Sequence, residues 1–260
     1  SINVASDFST LCRNLRMQDS VVETVRKRYR AITDRINQEY WNTSSTTAHS
    51  LYVGSYGRGT SVYTSDIDII VELPWSLYFK YDEYSGNGQS ALLADLRCKL
   101  LKTYSSSKIS ADGQVVDIDF SDGIKFEIVP AFKRTDEQGY YYPDTNNGGS
   151  WRSMNPKLEI TSFNARNNLS GGNLKRLCRM ARAWNERRIV LLDGIVIDTI
   201  AYHFIQSYEY ADKGFVYYDW LSRDFFKYLI DNAGKTNWLK PGGTGYVSPK
   251  YSFKNDATKA

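Results

Sequence analysis

Apolar residues recur at steps near 3.6 through the first forty positions. Val21, Val22, Val25, Tyr29, Ile32, Ile36 and Tyr40 form one stripe with Arg, Lys and Glu between them, which predicts a long amphipathic helix over 7–40. The period stops in "NTSSTTAHS" (42–50), a loop, and "LYV" (51–53) reads as a short strand entering a Gly-Ser turn. "DIDIIVEL" (66–73) opens on two carboxylates and continues as a near-continuous apolar strand. "GQSALLADLRCKLLKTY" (88–104) is again helical, with Leu92, Leu93, Leu96, Leu100 and Leu101 on one face. "QVVDIDF" (114–120) and "IKFEIVPAF" (124–132), joined by "SDG", give a hairpin signal. "YYYPDTNNGGSW" (140–151) is turn-rich without helical period and marks a boundary. Helices are expected beyond it at 156–169, 172–187, 194–209 and 219–233. The pattern predicts an α+β chain with a mixed domain over 1–150 and a helical domain over 151–260.

Composition narrows the class. The chain has 260 residues, 42% hydrophobic and 24% charged, which suits a globular protein with one or two cores. It contains no apolar run of about eighteen residues that would span a membrane, and no basic segment followed by an apolar stretch opens it. A cytoplasmic protein is the expectation. A first residue that is Ser and a last stretch "KNDATKA" suggest a trimmed chain. A net charge of +4 and a pI near 8.8 fit an anionic small molecule as well as a nucleic acid. Cys12, Cys98 and Cys178 lie far apart and odd in number, so a disulfide framework is not expected. With His49 and His203 alone, a His-based zinc site or a Ser-His-Asp triad is disfavoured. Any metal would be held by carboxylates, which points to a hard ion such as Mg²⁺. The sequons at Asn42 and Asn168 read as chance matches.

The chemistry concentrates around "GSYGRGTSVYTSDIDI" (54–69). Asp66 and Asp68 flank Ile67, so in a strand both project from one face. Two like charges that close raise each other's pKa unless a cation sits between them. Upstream, Gly54 and its neighbouring glycines would let backbone N–H groups approach a polyphosphate. Ser55 can donate to a phosphate oxygen, Thr60 can donate another or cap the turn, and Arg58 is an available charge. The loop lacks the Gly-Lys-Ser/Thr of a Walker A sequence. Asp117, Asp119 and Glu127 are candidates for a third acid. Glu127 lies between Phe126 and Ile128, where an unpaired charge is costly. Asp117 and Asp119 alternate with apolar residues and read equally as the polar face of a half-exposed strand. Three carboxylates with a phosphate-holding loop suit two-metal phosphoryl transfer, which requires no protein nucleophile.

Gly-Ser, about ten residues, Asp-x-Asp, then an apolar-flanked acid on a later strand resembles the DNA polymerase β-like nucleotidyltransferase superfamily. "GSYGRGT…SDIDIIVEL", "GNGQSALL", "DGQVVDIDFSDGIKFEIVPAF", "YYYPDTNNGGSW" and "RMARAWN" together resemble the bacterial CD-NTases, the cGAS/DncV-like nucleotidyltransferases of CBASS anti-phage operons, over about residues 50–245. The resemblance implies a polymerase β-like core with a long N-terminal spine helix, a helical lobe, and an active site in the cleft between them. It implies condensation of nucleoside triphosphates (ATP, GTP or pyrimidine NTPs) into a cyclic di- or trinucleotide. Pyrophosphate is released, and a separate effector receives the product. Two Mg²⁺ ions, replaceable by Mn²⁺, are the implied cofactors. Gly54 and Ser55 match the phosphate-binding pair, and Asp66 and Asp68 match the first two metal ligands. Glu127 matches the third ligand, where animal oligoadenylate synthetases carry Asp. Arg182 stands where relatives carry a triphosphate-contacting Lys, and Lys175 is a second candidate for that role. Gly194 and Ile195 replace the Ser and Tyr that contact the base in animal cyclic GMP–AMP synthase. No Cys/His cluster corresponds to that enzyme's DNA-binding zinc module, so activation by DNA is not implied. Linear transfer to a nucleotide, RNA or protein would use the same acids, and an inactive nucleotide-binding scaffold is the third reading.

Overall fold

The computed structural model describes residues 3–62, 66–135, 139–188 and 192–260. The chain opens with α1 (Val4–Asn14) and α2 (Asp19–Tyr40), then β1 (Ser50–Val53), the short α3 (Gly54–Arg58), β2 (Ile67–Glu72), α4 (Trp75–Asp82) and α5 (Gly88–Leu101). Next come β3 (Lys108–Asp112), β4 (Val115–Asp119), β5 (Lys125–Lys133), β6 (Tyr140–Asp144) and β7 (Ser150–Met154). The remainder is α6 (Pro156–Leu169), α7 (Asn173–Arg188), α8 (Gly194–Gln206), α9 (Tyr218–Asp231), the small ribbon β8 (Trp238–Leu239) with β9 (Tyr246–Val247), and α10 (Lys254–Thr258).

The chain divides into two compact units. One comprises Gln18–Gly57 and Thr64–Lys157; the other comprises Ser1–Met17, Arg58–Tyr63 and Leu158–Ala260. These units differ from the expected division at 150 in residues 1–17, 58–63 and 151–157. "YYYPD" and "SWRSM" pair as an antiparallel hairpin, β6 with β7, that joins the sheet unit through β5. The expected helix over 7–40 is two helices, because its apolar positions serve two cores. Phe8 and Cys12 of α1 pack into the helical cluster. Val25, Ile32 and Ile36 of α2 are fully buried in the sheet unit.

In the sheet unit the strand order is β1-β2-β5-β4-β3, with β6 on β5 and β7 on β6. β2 and β5 run parallel; the other pairings are antiparallel. A parallel pair needs a crossover rather than a tight turn. Here α4, α5 and the β3–β4 hairpin lie between them in the chain. Ile67, Ile69, Phe126 and Ile128 are fully buried, each side chain contributing about 1.5–3 kcal/mol relative to exposure. Asp68 and Glu127, alternating with them, are only half-buried. The starts of the two central strands thus bury one face and turn the other toward chemistry. In the helical unit, Phe163, Leu177, Ile200, Phe225 and Trp238 belong to one core cluster.

Candidate active site

The sheet unit brings its predicted site residues together by register. Asp68 stands opposite Glu127 across the parallel pair, and Glu127 stands opposite Asp117 across β4–β5. Three acids from three adjacent strands therefore lie in one row. Val53 is the register partner of Asp68, which sets Gly54 beside that carboxylate. Gly54 has φ +59°, and a Cβ there would overlap Asp68 Oδ2. Gly54→Ala is expected to cost about 1–2 kcal/mol from the left-handed backbone and to displace the carboxylate. A lowered thermal midpoint together with reduced turnover would show it.

Electrostatics in the row follow from this crowding. Burial pushes Glu127 up, but a side-chain hydrogen bond with Asp68 and another with Lys125 hold its carboxyl below the ordinary range. Burial, then the charge of Glu127, raises Asp66, the exposed residue just ahead of β2. Asp117 is raised by burial, and its Oδ1 is buried without a hydrogen-bond partner. Lys125 Nζ lies 3.0 Å from Glu127 Oε1 and 3.2 Å from Asp117 Oδ2. Its pKa is raised, first by the hydrogen bond to Glu127. Among the described residues no three His, Cys, Asp or Glu side chains converge on a ready-made metal position. The pair that does meet, Asp68 with Glu127, supplies hard oxygen donors that share a hydrogen bond where a divalent cation would serve better. The unpartnered Oδ1 of Asp117 marks the same shortage of positive charge. The donor set fits Mg²⁺ chemistry on that ground.

Arg58, Thr60 and Arg182 gather around one acid within the helical unit. Arg58 is buried, with Nε 3.0 Å from Asp198 Oδ2 and Nη1 2.8 Å from Glu159 Oε1. Thr60 is fully buried and donates to Asp198 Oδ2 at 2.6 Å. Arg182 donates to both carboxylate oxygens of Asp198, at 2.8 and 2.9 Å. These side chains satisfy a buried acid in this structure, a placement that differs from the expected one of Arg58, Thr60 and Arg182 on a phosphate. Lys175 stands outside this cluster, packed against Gly59.

Residues 2–167 match the model of the Second Messenger Oligonucleotide or Dinucleotide Synthetase (SMODS) domain. The chain belongs to that family. A Bacillus cereus (strain VD146) protein named "Probable cyclic nucleotide synthase" is 27% identical over 141 residues, 51% of this chain and 41% of that protein's length. The match thus spans less than half of that relative. The Elizabethkingia meningoseptica CdnE cyclic dinucleotide synthase, solved with GTP and Apcpp, shares the fold with a TM-score of 0.65 at 16% identity, over 98% of this chain and 95% of that one. The Vibrio cholerae di-nucleotide cyclase DncV gives a TM-score of 0.69 at 12% identity, over 96% and 85%.

The structure adds SMODS residues that pattern reading left aside. Lys125 shares the face of Glu127 because it lies two positions earlier on the same strand, a period-2 signal open to inspection. Asp198 sits in "IVIDTIAY", an acid in an apolar run like Glu127, and a side chain at Gly194 would overlap the Arg182 guanidinium that reaches it. The absence of Ser at 194 thereby has a local reason: the space holds Arg182. No described helix is long and apolar enough to cross a membrane.

Proposed function

We propose that the chain is a metal-dependent nucleotidyltransferase that condenses nucleoside triphosphates into a cyclic di- or trinucleotide second messenger. The observation that carries this reading is the registered pair Asp68–Glu127 with Gly54-Ser55 beside it, in a chain of the SMODS family. Asp68 and Glu127 would hold Mg²⁺, with Asp66 as the further ligand and Mn²⁺ as a substitute. Bound there, the ion supplies charge neutralisation on the phosphates and a lowered pKa for the attacking hydroxyl. Ser55 and the backbone at Gly54 hold the phosphate tail of the donor. A ribose hydroxyl of the acceptor loses its proton to solvent as its oxygen bonds to the α-phosphorus, the bond to the β-phosphate oxygen breaks, and pyrophosphate leaves. A second such step within the linear intermediate closes the ring. Lys125 keeps Glu127 and Asp117 compatible at close range by lying between them. The names of the relatives support cyclic products, and an anti-phage role with a downstream effector follows from the CD-NTase resemblance.

Incubation with all four labelled NTPs and Mg²⁺ or Mn²⁺, then phosphatase treatment and chromatography, tests this. A phosphatase-resistant product is expected. A ladder of phosphatase-sensitive products would replace cyclisation with linear transfer. No product under either metal would favour a nucleotide-binding scaffold.

A further inference from the structure

The helical unit gathers positive charge that the proposed chemistry does not use. α1 and α7 border a cleft of about 470 Å³ lined by Arg13, Arg16, Lys175, Arg176, Arg179 and Phe215, among others. Five of its described lining residues are cationic and none is acidic. Such a group is self-repelling. Burial, then the charge of Arg179, holds Lys175 below its ordinary pKa; burial, then Arg16, does the same to Arg179. No carboxylate acts on either of them.

The inner cations are held in place by neutral oxygens rather than by acids. Arg179 Nη1 donates to the Gly59 carbonyl at 2.8 Å, and its buried Nε has no hydrogen-bond partner. Arg176 Nη1 donates to the Gly171 carbonyl and to Asn173 Oδ1, both at 3.1 Å. Arg16, exposed at the rim, donates its backbone N–H to the Arg13 carbonyl, and no ion pair or hydrogen bond is seen for its guanidinium among the described residues. Elsewhere in the same unit, buried Arg58 and half-buried Arg182 each have a carboxylate. The cleft is within the size range of small-molecule sites, and planar guanidinium forks match phosphate and carboxylate groups in bidentate fashion.

We propose that this cleft of the helical unit is a binding site, built from residues other than the Asp68–Glu127 pair, for a small polyanion bearing two or more phosphate or carboxylate groups. Arg176 and Arg179 form its fixed floor, and Arg13 on α1 and Arg16 just beyond it close on the ligand. This goes beyond the catalytic reading and does not depend on it.

Titration calorimetry with EDTA present and no nucleotide isolates the site, using inorganic tripolyphosphate in one arm and citrate in the other. Binding of at least one probe is expected. The tighter arm tells whether phosphate or carboxylate is the preferred group. The double variant Arg13→Ser/Arg16→Ser, and separately Arg16→Glu, should weaken binding at least about tenfold, since each charged hydrogen bond is among the stronger ones. Both positions are exposed, so an unchanged thermal midpoint is expected for these variants. Ser55→Ala and Asp68→Asn should bind as the parent does. The proposal is overturned if neither probe binds at about 1 mM or if the rim variants bind unchanged. It is equally overturned if Ser55→Ala abolishes binding, which would give the cations to the substrate's own triphosphate.

Discussion

Glu127→Gln is expected to lower product formation at least about 100-fold, while Asp119→Asn keeps most of the activity. Removing a partner of a metal ligand already costs about 10–100-fold, so removing a ligand itself costs no less. The two acids differ in register, not in type. Glu127 is the parallel partner of Asp68 and shares a hydrogen bond with it. Asp119 lies at the end of β4 opposite Lys108 and Lys125, and its side chain is 40% exposed beside Lys108 Nζ at 3.8 Å. Gln keeps the volume and removes one charge from a crowded row, so the fold should hold and the thermal midpoint should stay level or rise. Turnover of labelled NTPs under Mg²⁺, alongside the midpoint, is the measurement. If Asp119→Asn loses activity and Glu127→Gln does not, the ligand assignment fails.

How far the sequence disclosed this site depended on the distance over which each signal acts. Asp66 and Asp68 were legible because strand geometry alone sets i and i+2 on one face. Glu127 was legible as an acid among apolar neighbours. That β2 lies parallel to β5, with Asp68 against Glu127, is a pairing across 59 positions that no local period encodes. The pairing of Arg58 is hidden from the sequence for the same reason. Its environment is set by Asp198, 140 residues away, and a loop arginine without its partner in view looks available. Asp198 carried the same signal as Glu127, but a buried acid announces only that it needs positive charge. Whether an ion or a guanidinium supplies it is decided by the fold. The strands at Lys108–Asp112 and Tyr140–Met154 escaped notice because they are short, and Gly- and Asn-rich turns interrupt the alternation that reveals longer ones.

Asp198→Ala is expected to be the most destabilising single change considered, at about 3–5 kcal/mol, because it leaves buried guanidinium groups without their counter-charge. Asp198 is fully buried and accepts from Arg58, Thr60 and Arg182. Glu159 remains for Arg58, but Arg182 loses both of its bonds. In a chain of this size each kcal/mol moves the midpoint by about 2–4 °C, so a fall on the order of 10 °C is expected. The same group predicts a pH dependence. Burial alone would raise its carboxyl, but Arg182 and Arg58 outweigh burial and lower it from 3.8 to about 2. A depressed folded pKa contributes stability that is fully present above the unfolded value and is lost as pH falls through the folded one. The parent should therefore lose this part of its stability between about pH 4 and pH 2, and Asp198→Ala should show a flatter profile across that window. Urea unfolding at pH 7, 4 and 3 measures both effects. Replacing Asp198 and its two arginines together, Asp198→Leu with Arg58→Met and Arg182→Met, leaves Glu159 paired with Lys240 and separates lost packing from stranded charge. Recovery of most of the midpoint would place the cost on the uncompensated guanidinium groups. A single variant as stable as the parent at pH 7 would mean the cluster does not anchor Arg58, and the phosphate role first read for that residue would stand again.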